Sequence, residues 1–268
     1  MTYRKLKVCF FGGTNEARSI IAELALHWEQ PNHAIKLDFG KNGKFRTCKQ
    51  NGKTEIQIRV GFDKPGFWSA LGANSVVAAT QNEQSLNLNG FENITRAKLA
   101  PWQVSTIHHE FGHAMALMHE HQNPKSPCEE EFDWEKVNKA LGGPPDNWTK
   151  EIIDFNMRKL SGPDIVASEF NKKSIMLYQF PAEFYKKGKQ ANCYVAKPSA
   201  DISDGDFGEI AGLYPLEESE RVKRFEQTKA AFTALWNESG DEVSRGISFD
   251  PIKEYFERPG NLNEPDDE

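Results

Sequence analysis

His109 and His113 are four residues apart, and Glu110 directly follows the first of them. On a helix this spacing puts the two imidazoles about one turn apart on one face, where their nitrogens can share an ion at about 2.0–2.1 Å. A divalent ion in such a place lowers the pKa of a bound water toward about 7. A carboxylate beside it can take the water's proton during attack on a carbonyl and deliver it to a leaving amine. Glu110 is the candidate general base of this HExxH arrangement. His119 lies ten residues after His109, about 15 Å along a continuous helix, which is too far for a shared ion. The helix must therefore end between His113 and His119, so that the chain can turn back and complete a three-histidine site with one position open for water. His121 ranks behind His119 as third ligand, and His108 points about 100° away from His109 on the helix. Only neutral imidazole coordinates, so metal binding is expected to fall as the pH drops through about 6.

The elements that hold these residues are read from hydrophobic periodicity. KLKVCFF (5–11) reads as a buried strand, and TNEARSIIAELALHW puts Ala17, Ile20, Ile21, Leu24 and Trp28 on one helical face. HAIKLDF (33–39), TEIQIRV (54–60) and ANSVVAAT (73–80) read as further strands. QSLNLNGF, with Leu86 and Leu88 alternating with polar neighbours, reads as an edge strand. In PWQVSTIHHEFGHAM, Pro101 sits near a helix start and Val104, Ile107, Phe111 and Met115 recur at helical intervals. From NPKSPCEEEF to LGGPPDNW the prolines and glycines predict a looser second lobe of short helices. Beyond GLYP, Val222, Phe225, Phe232, Leu235 and Trp236 fall at helical spacing, and the acid-rich end from Arg258 reads as a mobile tail.

HEFGHAMALMHEHQ and the later SIMLY together resemble the metzincin zinc metallopeptidases, and microbial astacin-like members most closely. Those enzymes carry HExxHxxGxxH followed by Glu, and a downstream SxMxY turn matched here by Ser174, Met176 and Tyr178. The likeness extends through RVGFDKPGFWSALG, QSLNLNGF and ISDGDFGEIAGLYP, and covers roughly residues 5 to 215. It implies an α+β fold: a twisted mixed sheet with a backing helix and an active-site helix, then a less regular C-terminal lobe. The expected organisation is a metzincin-like catalytic domain over 1–216 and a helical C-terminal extension over 217–268.

The function this resemblance implies is hydrolysis of peptide bonds in extended polypeptides by metal-activated water. One catalytic Zn2+ would rest on His109, His113 and His119, with Glu110 as general base. Met176 would form a hydrophobic floor beneath the ligands. Tyr178 would bind the metal at rest and swing to hydrogen-bond the oxyanion. Glu120 matches a family glutamate that ties the structure together. A substrate would add antiparallel along Leu86, Asn87 and Leu88. One departure is Ala116, which stands where the family has glycine. If that turn needs a left-handed backbone, alanine costs about 1–2 kcal/mol and raises the question of a displaced His119.

The formal charge of −6 disfavours a nucleic-acid partner. No apolar run approaches the length of a membrane span, and the N-terminus lacks a signal-peptide hydrophobic region, although the family resemblance favours secretion. Cys9, Cys48, Cys128 and Cys193 form no CxxC pair, which leaves disulfides and buried thiols both open. Two rival functions are a catalytically weak metzincin-fold binding protein, and a toxin or effector protease with a narrow protein target. In the latter, residues 217–237 would recruit a partner rather than dock on the catalytic lobe.

Overall fold

The structure is a computed structural model that describes residues 5–41, 43–49, 55–77, 80–163 and 165–217, with isolated positions up to Ala230. Phe225, Phe232, Leu235 and Trp236 of the expected terminal helix, and the acidic tail, lie outside the described residues. The chain divides into two compact units, Met1–Gln30 with Ile35–Tyr214, and Pro31–Ala34 with Pro215–Glu268. The second holds an antiparallel bridge between His33 and Pro215. No helix of the described residues is long and apolar enough to cross a membrane.

In the larger unit, β1 (Lys5–Phe10) is the sheet's spine because Leu6, Val8, Cys9 and Phe10 give it apolar side chains on both faces. It runs parallel to β2 (Lys36–Asp38) in register Lys5↔Lys36, and to β5 (Ile58–Gly61) in register Val8↔Ile58. Helix α1 (Asn15–Leu26) starts where the Thr14 hydroxyl accepts from Ala17 N at 3.1 Å, and it buries the predicted face of Ala17, Ile20, Ile21 and Leu24. Trp28, fully buried just beyond it, donates from Nε1 to His108 O at 3.0 Å and so pins α1 to the helix that carries His108. A two-stranded hairpin of β3 (Gly40–Lys41) and β4 (Lys44–Phe45) follows β2.

Two sequence expectations are corrected by the pairing. ANSVVAAT does not form a strand: its described part is the short helix α2 (Asn74–Val77), with Val77 82% exposed. Apolar β-branched residues alone do not make a strand without a partner strand beside them. β6 (Phe67–Ser69), which periodicity did not single out, joins β7 (Leu86–Leu88) antiparallel in register Phe67↔Leu88, Trp68↔Asn87 and Ser69↔Leu86. β7 also pairs parallel with β5, giving the order β2-β1-β5-β7-β6. Leu86, Asn87 and Leu88 are therefore interior and buried, and the edge strand is β6. The alternation in QSLNLNGF misled because Asn87 is polar yet buried. Its amide donates to Lys64 O at 2.8 Å and accepts from Gln84 Nε2 at 2.6 Å, holding the turn between β5 and β6.

Helix α3 (Pro101–Ala114) packs across the sheet, its start fixed by Pro101 and by Ala100 N donating to Gln103 Oε1 at 2.9 Å. The second lobe has its own core of Phe132, Val137, Ile153, Met157, Phe184 and Tyr185 between α4 (Cys128–Glu131), α5 (Trp134–Gly142) and α6 (Lys150–Met157). α7 (Asp204–Leu213) opens on a capping box in which Ser203 and Asp206 exchange hydrogen bonds. The cysteine question resolves into two disulfides, Cys9–Cys48 and Cys128–Cys193.

Candidate active site

α3 carries His109, Glu110 and His113 inward, with ring centroids of the two histidines 4.7 Å apart. The helix ends at Ala114 with Met115 as its cap, and Ala116 takes φ 81, the left-handed turn that the His113–His119 spacing requires. A glycine across from it makes room: a Cβ on Gly72 would come within 2.8 Å of the Ala116 methyl. With the turn so accommodated, His119 comes back to stand 4.6 Å from His113 and 5.4 Å from His109 between ring centroids. Among the described residues, these three histidines are the one His/Cys/Asp/Glu cluster whose ligand atoms all lie within 4.8 Å of one another.

The hydrogen bonds decide what the cluster can hold. His109 Nδ1 meets Ile175 O at 2.9 Å and His113 Nδ1 meets Leu117 O at 2.7 Å. A carbonyl only accepts, so each Nδ1 carries the proton and each Nε2 presents a lone pair. His119 Nδ1 lies 3.3 Å from Gln122 Oε1, which gives it the same tautomer. His113 Nε2 and His119 Nε2 then face each other at 3.0 Å, while His109 Nε2 is buried with no partner. Converging lone pairs in a buried place repel unless a cation sits among them, and outward Nδ1–H bonds are the supports that ligand histidines carry. The donor set fits a zinc-type ion. Burial also holds His109 down at about 4 and His113 at about 3, and it keeps His119 well below the usual imidazole value, so all three are neutral near pH 7.

Glu110 is 4% exposed and its Oε2 has no hydrogen-bond partner. Burial pushes its carboxyl up to about 8 in the ion-free chain, and a cation nearby would draw it back down. Tyr178 is 41% exposed and stacks 5.3 Å from His109 and 4.2 Å from His119. Desolvation of the phenol, with Glu110's charge behind it, raises Tyr178 to about 12, so it keeps its proton as a donor. Met176 lies beneath the helix. A Cβ on Gly112 would meet its Sδ at 2.6 Å, which is why the motif's fourth residue is glycine here.

The rival ligands are turned away. His121 points Nε2 at Asn156 O, 2.9 Å off, and packs edge-on to Phe180, while His108 meets Ala200 O and His27 on the other side of α3. Glu120, 4% exposed, accepts from Asn171 N at 2.7 Å and Asn123 Nδ2 at 3.2 Å, and its own N–H donates to Met176 O. It thus ties the segment after His119 to the turn that carries Met176. Asp206 and Gln122 escaped the sequence reading. Asp206 accepts from Ser174 Oγ at 2.5 Å and Ile175 N at 3.1 Å, anchoring the turn that carries Met176. Its one sequence signal was the Ser203-to-Asp206 capping spacing.

No protein-family model matches this chain, and no curated protein sequence does either. Among solved structures it is similar to myroilysin, at 26% identity and a TM-score of 0.64 over 80% of this chain and 93% of that one. The fold is that of the astacin-like metzincins. A second myroilysin structure aligns at 24% identity and a TM-score of 0.52, over 81% and 86% of the two chains. High choriolytic enzyme 1, a hatching enzyme zinc-protease from Oryzias latipes, aligns at 16% identity and a TM-score of 0.47, over 80% and 90%.

Proposed function

We propose that this chain is a zinc-dependent endopeptidase that hydrolyses extended polypeptides. The observation that carries the reading is the convergence of three imidazole Nε2 atoms, each with Nδ1 committed elsewhere, beside the buried and unpartnered Glu110. Zinc held by His109, His113 and His119 would supply Lewis acidity, acidifying a water and polarising the peptide carbonyl. Glu110 takes the attacking water's proton and returns it to the leaving amine. Tyr178 donates its hydroxyl to the oxyanion as charge develops there. β6, with its outer backbone groups free of a sheet partner, aligns the substrate as an added antiparallel strand in place of Leu86, Asn87 and Leu88. Two disulfides agree with an oxidising, extracytoplasmic setting, which supports secretion.

The test is zinc content and cleavage of an unfolded protein, measured for the unmodified chain and for Glu110→Ala. Both should hold about one zinc, as the three-imidazole set requires. Only the unmodified chain should cut, the variant falling by about 10²–10⁴-fold as expected for loss of a general base. Zinc without cleavage in either protein would favour a binding role, and absence of zinc from the unmodified chain would end the metal reading.

A further inference from the structure

A further pair of imidazoles meets on another side of α3. His27 caps the end of α1 and is exposed, while His108, 3% exposed, lies on α3 immediately before His109. His27 Nδ1 and His108 Nε2 are 3.2 Å apart. The other nitrogen of His108 meets Ala200 O at 3.2 Å. A carbonyl only accepts, so that Nδ1 carries the proton and Nε2 offers a lone pair. His109 and His113 are prepared in the same way, each with Nδ1 bonded to a backbone carbonyl and Nε2 left to bind.

The three clustered histidines of the same structure give the scale by which this pair is judged. Their ring centroids stand 4.6, 4.7 and 5.4 Å apart, and His113 Nε2 faces His119 Nε2 at 3.0 Å. His27 and His108 match that geometry, with centroids 5.3 Å apart and facing nitrogens at 3.2 Å. Metal–nitrogen bonds of about 2.0–2.1 Å put two ligand nitrogens about 2.9 Å apart at a right angle and about 3.3 Å apart at the tetrahedral angle. The observed spacing falls between these, so one ion can bridge the rings with little movement. Both sides are held in place: Trp28, next to His27, donates from Nε1 to His108 O at 3.0 Å, and Gln30 Nε2 donates to His27 O at 3.0 Å. With the His27 proton on Nδ1 the contact is a hydrogen bond. With that proton on Nε2, the other neutral tautomer, it becomes a two-nitrogen chelate.

We propose that His27 and His108 form a second metal site, for a borderline-soft divalent ion such as Zn2+ or Cu2+, which braces the end of α1 against the helix that carries His109 and His113. Imidazole suits these ions, whereas Mg2+ and Ca2+ prefer oxygen. With two protein ligands rather than three, the remaining positions go to water and this site fills after the three-histidine one. The ion stabilises the folded chain because the unfolded chain does not hold the two rings together. This site does not depend on the hydrolytic reading.

The experiment follows zinc content by equilibrium dialysis, together with Tm, as free zinc rises, for the full chain, His27→Ala and His27→Gln. Glutamine keeps a donor toward His108 Nε2 but brings no imidazole, so it separates the hydrogen bond from ligation. The unmodified chain should pass from about one zinc to about two. At a tenfold excess of zinc over the second Kd its Tm should rise by about 3–6 °C. Both variants should stop at about one zinc and lose that rise, and with one zinc bound they should cleave an unfolded protein as the unmodified chain does. Mg2+ in place of the added zinc should not reproduce the difference between the unmodified chain and the variants. A second zinc that persists in either variant places the ion elsewhere and overturns the proposal, as does an unmodified chain that never takes up more than one. Uptake of a single zinc that His27→Gln abolishes supports this pair and overturns the three-histidine assignment.

Discussion

His109, Glu110 and His113 are placed by the hydrogen-bond ladder of one helix, whereas His119, Met176 and Tyr178, a few ångströms away, lie on irregular chain. The first group needs no side chain to hold its backbone, because a helix interior satisfies its own N–H and C=O groups. The second has no ladder, so buried carboxylates take its place: Glu120 receives Asn171 N, and Asp206 receives Ile175 N and the Ser174 hydroxyl. The difference teaches where the site is fragile. Polar substitutions that are mild on the helix side should be severe on the loop side.

The sharpest way to break this contrast is Asp206→Ala. It strands buried donors on Ser174 and Ile175 and should cost about 3–5 kcal/mol in urea unfolding, in the range for a broken buried network. Zinc affinity should fall by about 10–100-fold, as for other supports behind metal ligands. Glu23→Ala, which removes an exposed pair with Arg96 on the sheet side, should cost under about 1 kcal/mol. Equal losses in the two variants would erase the distinction.

A comparable effect should appear with pH. His109, His113 and His121 are held at about 4, about 3 and about 4 by burial, while in the unfolded chain each titrates near 6.5. Between those values the unfolded histidines bind more protons, so their contribution to the stability of the zinc-free chain is full above about 6.5 and falls as the pH drops toward 4. Burial also shifts proton competition for the ligands below the pH of about 6 expected from free imidazole. Zinc should be retained at pH 5 and released near 4, as read by metal content after dialysis.

Tyr178→Phe comes next. Loss of its hydroxyl should lower kcat by about 10²-fold, the scale of one oxyanion donor, with zinc content and Tm unchanged. A parallel loss of zinc would make the tyrosine structural. The smallest expected effect is Ala116→Gly. Relief of the strain at φ 81 is offset by glycine's freedom in the unfolded chain, leaving a gain of about 1 kcal/mol or less by thermal unfolding. A loss instead would mean that the contact of the Ala116 methyl with Gly72 outweighs the turn strain.

What the sequence by itself determined is whatever depends on near neighbours. A 3.6-residue period puts His109, Glu110 and His113 on one face, and the ten-residue step to His119 compels a helix end that the structure sets at Ala114. The Thr14 cap and the buried stripe of α1 were legible for the same reason. Tertiary structure decided what depends on partners distant in the chain. QSLNLNGF looks like an edge from within, and only the arrival of β6 makes it interior. His119 and His121 are equivalent by residue type, and they part because Asn156 O, 35 residues on, takes the second. The disulfides and the Asp206 anchor likewise join segments separated by tens of residues. Such contacts leave no period in the sequence, because loop closure costs grow only slowly with length and many pairings remain open until the core excludes all but one.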